Sequence, residues 1–490
     1  MKSKKMIASL SALSLMCSSA AGYIASAVDT PIEPTDILGD VNNDGRFNLS
    51  DLVLMHRYLL RRGTLANYYN ADFDRDDCID SFDLCLMQKD LIKRMVIPSP
   101  IFKSRNLFST YTPDDVEGLE ADDEFIKSQT EFALGFLQRS ITASSNTMVS
   151  PYSAIQALAM TANGTGTETR AEMEKVLGGG MSIDKLNKYL YTQRINQPDG
   201  STYSCKLKTA NAIWSKKGLP VAPEFLKNNI NYYGADFYEA NMDKSTVDDI
   251  NSWVNKNTDK MIPKLIDELS ESTVMCLVNA VTFDADWISP FDPAWDGTFV
   301  NANGENEKAK MMTSDESYYI TDGKAQGFMK MYEGRKYAFA ALLPDEGVDL
   351  NDYISGLTAE SLNKTLSNPE TEGGVHITLP KFKYDFEIHM NDLLKDMGMN
   401  AAFDDTLSDF SKMVSNGGDD IYISDVLQKT HIEVDEKGTR AAAATSVTCD
   451  VKALPPSKEI KFDRPFMYCI IDTETSIPVF IGTVMTLQSE

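Results

Sequence analysis

The hydrophobic pattern changes character along the chain. From about Ala121 it has the period of a helix packed on one side: "DDEFIKSQTEFALGFLQRSI" sets Phe125, Phe132, Phe136, Leu137 and Ile141 on one face. "TETRAEMEKVLG" opens with a capping-box pattern at Thr169 and Glu172 and closes at glycine, which predicts a further helix. Farther on the apolar runs shorten and become β-rich, as in "TVMCLVNAVTF", "KYAFAALLP", "VHITLPKF" and "PVFIGTVMTL", each bounded by turn residues. Helices early and strands late, without regular alternation, predict an α+β fold rather than a doubly wound sheet.

One stretch fits neither period. "EKGTRAAAATSVTCDVKALPPS", Glu436 to Ser457, alternates small residues after Gly438 and ends in a double proline. Read as a strand, Thr439, Ala441, Ala443, Thr445, Val447, Cys449 and Val451 share a small, nearly apolar face, and Arg440, Ala442, Ala444, Ser446, Thr448 and Asp450 share the other. Four alanines also favour a helix. The glycine before them, the β-branched residues after them and the prolines at the end suit a loop anchored at both ends. Such a ribbon can slide into a sheet over a finished core, because no bulk has to be forced past its neighbours.

Composition narrows the class. The 490 residues are 42% apolar, enough for one large core and a small one, and their net charge of −25 argues against nucleic acid or an anionic membrane as partner. Residues 1–27, "MKSKKMIASLSALSLMCSSAAGYIASA", have a lysine-rich start, a short apolar stretch and a small-x-small end, the layout of a secretory signal on an extracellular protein that inserts in no membrane. Residues 95–120, with "VIPSPIFKSRN", read as a linker. The six cysteines after the signal lack the paired spacing of zinc or redox sites, and only four histidines occur. There is no nucleophile elbow, zinc-protease motif or phosphate loop, and "SLNK", Ser361 to Lys364, meets the serine-acylase spacing without its companion motifs, so the chain is read as a non-enzyme.

A repeat carries the clearest chemistry. "DVNNDGRFNLSD", Asp40 to Asp51, returns 32 residues later as "DFDRDDCIDSFD", Asp72 to Asp83. Oxygen side chains recur at loop positions one, three, five, nine and twelve, which is how a hard cation such as Ca2+ is wrapped. The first copy offers Asp40, Asn42, Asp44, Asn48 and Asp51 with the carbonyl of Arg46, and the second offers Asp72, Asp74, Asp76, Asp80 and Asp83 with the carbonyl of Cys78. Position six is Gly45 in one loop and Asp77 in the other. Two ions are expected, and folding of the segment should depend on them.

Tandem loops ending in Asp, each followed by one helix, resemble a dockerin domain over residues 36–94, a small all-α, EF-hand-like module. The resemblance implies calcium-dependent docking to a cohesin module of a cellulosomal scaffold, with recognition at Leu49, Ser50, His56 and Arg57 in one copy and Ser81, Phe82, Gln88 and Lys89 in the other. These places differ between the copies, which speaks against a symmetric two-way docking mode.

Residues 121–490 resemble the serpins. The motifs, in order, are "NTMVSPYSAIQALAMTANGTGTETRAEMEKVL", "INSWVNKNTDKMIPKLI", "LVNAVTFDADW", "LPKFK", "EVDEKGTRAAAAT" and "FDRPFMYCIIDTETSIPVFIGTV". The resemblance implies three β-sheets with about eight or nine helices and an exposed reactive loop. A serine protease that cuts the loop is acylated, and the loop then inserts as an extra strand and traps it. It also implies a hinge and loop at Glu436, Gly438, Thr439, Ala441, Ala442, Ala443, Ala444 and Thr445. Counted from Glu436, the cut bond is Lys452–Ala453, which suits a trypsin-like target. Counted back from Phe462 it is Leu454–Pro455, which the proline disfavours. Ala453–Leu454 would suit an elastase-like or subtilisin-like enzyme. Trp287 matches the aromatic under the top of the main sheet, and Asn279 and Gln428 fall at the shutter, where Gln428 replaces a frequent histidine and is expected to bond to Asn279. Arg440 stands where a glutamate is usual, on the outward face. A non-inhibitory carrier or binding module is the rival reading, against which the all-small hinge argues. A monomer is expected.

Overall fold

The computed structural model describes residues 37–43, 47–76, 78–95, 102–107, 113–270, 272–417, 421–439 and 458–488. Contacts divide the chain into two units, Met1–Ile101 and Phe102–Glu490. The signal-like segment, Asp44, Gly45, Arg46, Asp77 and the ribbon from Arg440 to Ser457 lie outside the described residues. No described helix is long and apolar enough to cross a membrane.

In the small unit each acidic loop runs into one helix, α1 (Leu49–Leu59) and α2 (Ser81–Met95). Loop and helix share residues. Asn48 caps α1 by accepting from the Ser50 backbone N–H at 2.8 Å, and Asp51 completes the capping box. Apolar positions of both repeats meet in one core, with Val41, Leu52, Met55, Met87 and Leu91 buried together.

The large unit holds three sheets and, among the described residues, nine α-helices. A seven-stranded sheet runs in the order β1 (Arg105–Asn106), β4 (Asp236–Ala240), β3 (Cys205–Lys216), β5 (Met275–Asp286), β14 (Gly438–Thr439), β13 (Leu427–Val434), β12 (Phe382–His389). A six-stranded sheet runs β2 (Thr147–Val149), β17 (Pro478–Val484), β16 (Phe466–Asp472), β10 (Tyr337–Pro344), β9 (Ala325–Met331), β8 (Tyr318–Thr321). The third has β15 (Lys458–Lys461), β11 (Val375–Pro380), β7 (Asn306–Glu316) and β6 (Trp295–Val300). β10 and β17 are buried on both faces, which is why their sequences read as unbroken apolar runs.

Two local expectations change. The helix over "TETRAEMEKVLG" starts at Thr167 with Gly166 as its cap, so Thr169 and Glu172 form no capping box. They serve tertiary contacts instead: the Thr169 hydroxyl accepts from the Asp409 backbone N–H at 2.9 Å, and Glu172 accepts from Asn400 and Ala401, both at 2.7 Å. The stretch 95–120 also carries structure. β1 pairs with β4, Phe102 meets Tyr238 edge-on at 5.7 Å, and Ser104 donates twice to Asp249, at 2.7 and 2.6 Å.

Candidate functional site

The centre of the seven-stranded sheet is its unusual feature. β5 pairs with β3 from Cys205↔Ala285 to Ser215↔Met275, while on its other edge it meets β14 through Gly438↔Asp286 and Thr439↔Ala285. β13 pairs with β12 over its whole length and with β14 at Val434↔Thr439. Among the described residues β5 and β13 share no ladder with each other, and β14 stands between them, antiparallel to both. A cleft lined by Val281, Phe283, Ile432, Thr439, Ile470 and Phe480 opens here.

Each residue from Glu436 to Thr439, the expected hinge, is held for a physical reason. A Cβ on Gly438 would stand 2.1 Å from the Ala285 carbonyl oxygen, so only glycine lets the chain approach β5 this closely. Thr439 turns inward, 3% exposed, with its hydroxyl 2.6 Å from that of Tyr332. Tyr332 stacks under Trp287 at 4.3 Å between ring centroids. Trp287 donates from its backbone N–H to the Lys437 carbonyl at 2.8 Å and from Nε1 to the Asp435 carbonyl at 3.0 Å. The Phe291 N–H holds the Glu436 carbonyl at 2.8 Å. The Glu436 carboxylate accepts from Lys381 Nζ at 2.7 Å. Burial pushes its carboxyl up, yet the Lys381 ammonium and nearby backbone N–H groups outweigh that, and the net displacement is downward.

Farther along the strands, the expected shutter residues Asn279 and Gln428 stand on β5 and β13. Asn279 accepts from the Ser153 hydroxyl and donates to Asn211 Oδ1 at 2.7 Å. Gln428 does not pair with Asn279 as expected: its Oε1 accepts from the Ser150 N–H at 2.8 Å and its Nε2 donates to the Ser150 carbonyl at 2.9 Å. Ser150 caps the helix Pro151–Ala162, so both amide atoms of Gln428 are satisfied at the start of that helix.

The acidic repeat keeps its symmetry in three dimensions. Asp51 accepts from Val41, Asn42 and Asn48 at 3.0, 3.1 and 2.9 Å, and Asp83 accepts from Phe73, Asp74 and Asp80 at 2.6, 3.4 and 2.9 Å, the same loop positions in each copy. Ligand oxygens of Asp72, Asp74 and Asp76 lie within 4.8 Å of one another. Desolvation and the charges of Asp76, Asp83 and Asp72 push the Asp74 carboxyl up. Hard oxygen donors held this close fit calcium, which Asp72, Asp74 and Asp76 would hold, with Asp80 and Asp83 as the further ligands the loop pattern predicts. In the other copy Asp40 is buried, and Asn42 and Asn48 are half-buried. Of the recognition positions, Ser50, Ser81 and Lys89 are exposed, His56, Arg57 and Gln88 half-buried, and Phe82 57% exposed, so Phe82 is no core residue. The Leu49 side chain is outside the described set.

The serine-acylase spacing has a structural use. Ser361 accepts from the Thr358 N–H at 3.0 Å and completes the capping box of the helix Ala359–Ser367. Sequence reasoning missed Lys330, a buried lysine beneath Trp287 and Phe291, because its partners lie on other strands.

The family model for serpin (serine protease inhibitor) matches residues 127–487. The chain belongs to the serpin family. A dockerin type I domain matches residues 38–92, and such domains bind calcium. An uncharacterized serpin-like protein of Thermococcus kodakarensis is 33% identical over 351 residues, covering 69% of this chain and 80% of the relative. Serpin B10 of Bos taurus is 30% identical over 395 residues, covering 74% and 98%. The thermophilic serpin tengpin in its native state superposes with a TM-score of 0.73 at 40% identity, over 78% of this chain and all of that one. Tengpin in its latent state gives 0.67 at 38% identity, over 77% and 100%. The three-sheet serpin fold and the N-terminal dockerin are therefore both present, as the motifs implied.

Proposed function

We propose that the serpin unit traps a serine protease by inserting its own severed loop between β5 and β13, while the dockerin, holding two calcium ions, tethers it to a cohesin-bearing scaffold outside the cell. The observation that carries this reading is β14, which supplies the first two residues of a new strand already in register with both neighbours. Continued one residue at a time, that register sets Ala441 opposite Phe283 and Ile432, Ala443 opposite Val281 and Thr430, and Thr445 opposite Asn279 and Gln428. Phe283, Val281, Ile432 and Thr430 are buried, so the incoming face has to be small and uncharged, as the ribbon's is. At the N-terminal end of β5, the same register would bring Cys449 opposite Met275. Twelve residues from Gly438 to Cys449 span roughly 40 Å. That length leaves Lys452–Ala453 just beyond the inserted strand and favours it as the cut bond.

The chemistry is a race. The acyl ester formed on cleavage hydrolyses while the protease's oxyanion hole is intact, and loss of one donor there slows it by about 10² to 10³. Trapping succeeds only where insertion drags the protease and distorts that site first. Mixing the protein with trypsin and with subtilisin, then seeking a covalent band on a denaturing gel, tests the proposal. Such a band is expected, with trypsin favoured. Cleavage of the loop without a band by either enzyme supports the carrier reading instead.

A further inference from the structure

β9 carries a lysine into the body of the large unit. Lys330 is 1% exposed. Its ammonium donates to the Ser314 hydroxyl at 2.9 Å and pairs with the Glu316 carboxylate, both on β7. Glu316 accepts from Ser314 at 2.6 Å, so the small polar group is internally satisfied. The ammonium also faces two rings, with Nζ 4.3 Å from the Phe291 ring centroid and 5.8 Å from that of Trp287, and it feels the charge of Asp292. These are the two residues whose backbone N–H groups hold the Glu436 and Lys437 carbonyls.

A buried ammonium is costly to keep, and a methionine would fill the same volume at no electrostatic cost. Its neighbours on β9, Phe328 and Met329, are the apolar residues such a place normally takes. What the charge adds is direction, because a cation is attracted to the face of a ring and so restrains how the ring turns. Phe291 and Trp287 are thereby restrained by Lys330, and Trp287 also by the stacked Tyr332, which bonds Thr439.

We propose that Lys330 is a positioning residue for loop insertion: through the faces of Phe291 and Trp287 it keeps the amides that hold the hinge in place, and so sets the partition between trapping and release after the loop is cut. This rests on the inhibitory reading for its consequence, though not for the positioning itself. The first step of insertion extends β14 from Thr439, and it is fast only while the carbonyls of Glu436 and Lys437 are held in register. Acylation occurs on the ribbon and does not depend on the ammonium.

The test uses the full chain with Lys330→Met alone and with Lys330→Met combined with Glu316→Met. The double variant removes the ion pair without leaving an unpaired buried carboxylate, and such replacements commonly retain stability. Against a protease that the parent traps, the stoichiometry of inhibition is expected to rise about threefold or more in both variants, the acylation rate staying within about twofold, as loss of a cation–ring contact implies. Amide hydrogen exchange over residues 287–291 of the uncut protein is expected to speed up about tenfold in the double variant while the thermal midpoint returns to the parent value. A double variant with parental stoichiometry, or with parental exchange over that segment, overturns the proposal and leaves the pair a matter of packing. Where the parent traps no protease the inhibitory reading fails by itself, and the exchange measurement still decides whether Lys330 positions the hinge.

Discussion

The dockerin holds ligand oxygens of Asp72, Asp74 and Asp76 within 4.8 Å of one another, and the serpin unit holds two strands, β5 and β13, on either side of a strand described at Gly438 and Thr439. On the proposed function both regions are completed by something that arrives later, and the difference lies in what arrives. An ion from solution would complete the acidic loops and relieve the repulsion that pushes the Asp74 carboxyl up. The chain's own ribbon would complete the sheet, with ladder bonds and small side chains taking places that β14 has begun. The first completion would be reversible and independent of covalent change. The second would follow a cut and run once. A tether that can be loaded and unloaded would thus carry a trap that is spent in use.

The comparison breaks first, and most visibly, at the calcium loops. Excess chelator is expected to abolish cohesin binding, read by titration calorimetry, while the melting of the serpin unit stays where it was. Cohesin binding unchanged in chelator contradicts the reading of the loops. Next comes Ala443→Asp. The register brings residue 443 between Val281 and Thr430, each 8% exposed. A carboxylate buried there costs several kcal/mol, and with about 1.4 kcal/mol per tenfold this turns inhibitor into substrate by about 10² or more. Undiminished stoichiometric trapping by that variant counts against insertion.

Gly438→Val sharpens the same point at the hinge, where its Cβ meets the Ala285 carbonyl at 2.1 Å. Trapping efficiency is expected to fall about tenfold with the loop still cleavable, a penalty in the ordinary range for a steric fault of this kind. The smallest effect is at the Lys381–Glu436 pair, whose side chains are 36% and 28% exposed. Glu436→Gln is expected to cost about 0.5–1 kcal/mol after screening, seen as a small drop in thermal midpoint. Because the folded state lowers the Glu436 carboxyl, the pair's contribution is present above the ordinary value of 4.5 and is lost as pH falls through the lowered one. The Gln variant should lack that part of the acid limb, and an unchanged limb contradicts the assignment.

How legible each region was follows from where its partners lie along the chain. The expected calcium ligands sit within 12 residues of one another and the pattern occurs twice, so spacing alone marks them as candidates. Gly438 was readable as a flexible joint, but the reason it must be glycine, the nearness of Ala285, depends on a residue 153 positions earlier. Gln428 was visible as an unusual residue, while its partner Ser150 was hidden by the same kind of distance. Thr169 and Glu172 matched a local signature that tertiary contacts overrode. β1 escaped notice because two residues pairing through their backbone leave no period in the side chains. Lys330 escaped because a strand pattern has no term for a cation satisfied by β7 below and rings above.

The central claim is that the intact serpin unit stores free energy which its own ribbon releases on joining the sheet. The most direct measurement is the thermal or denaturant unfolding of the purified protein before and after a single nick in residues 452–455. The nicked form is expected to unfold later than the intact one, since β5 and β13 then share a full strand in place of Gly438 and Thr439 alone. A nicked form that unfolds at or before the midpoint of the intact protein contradicts the claim.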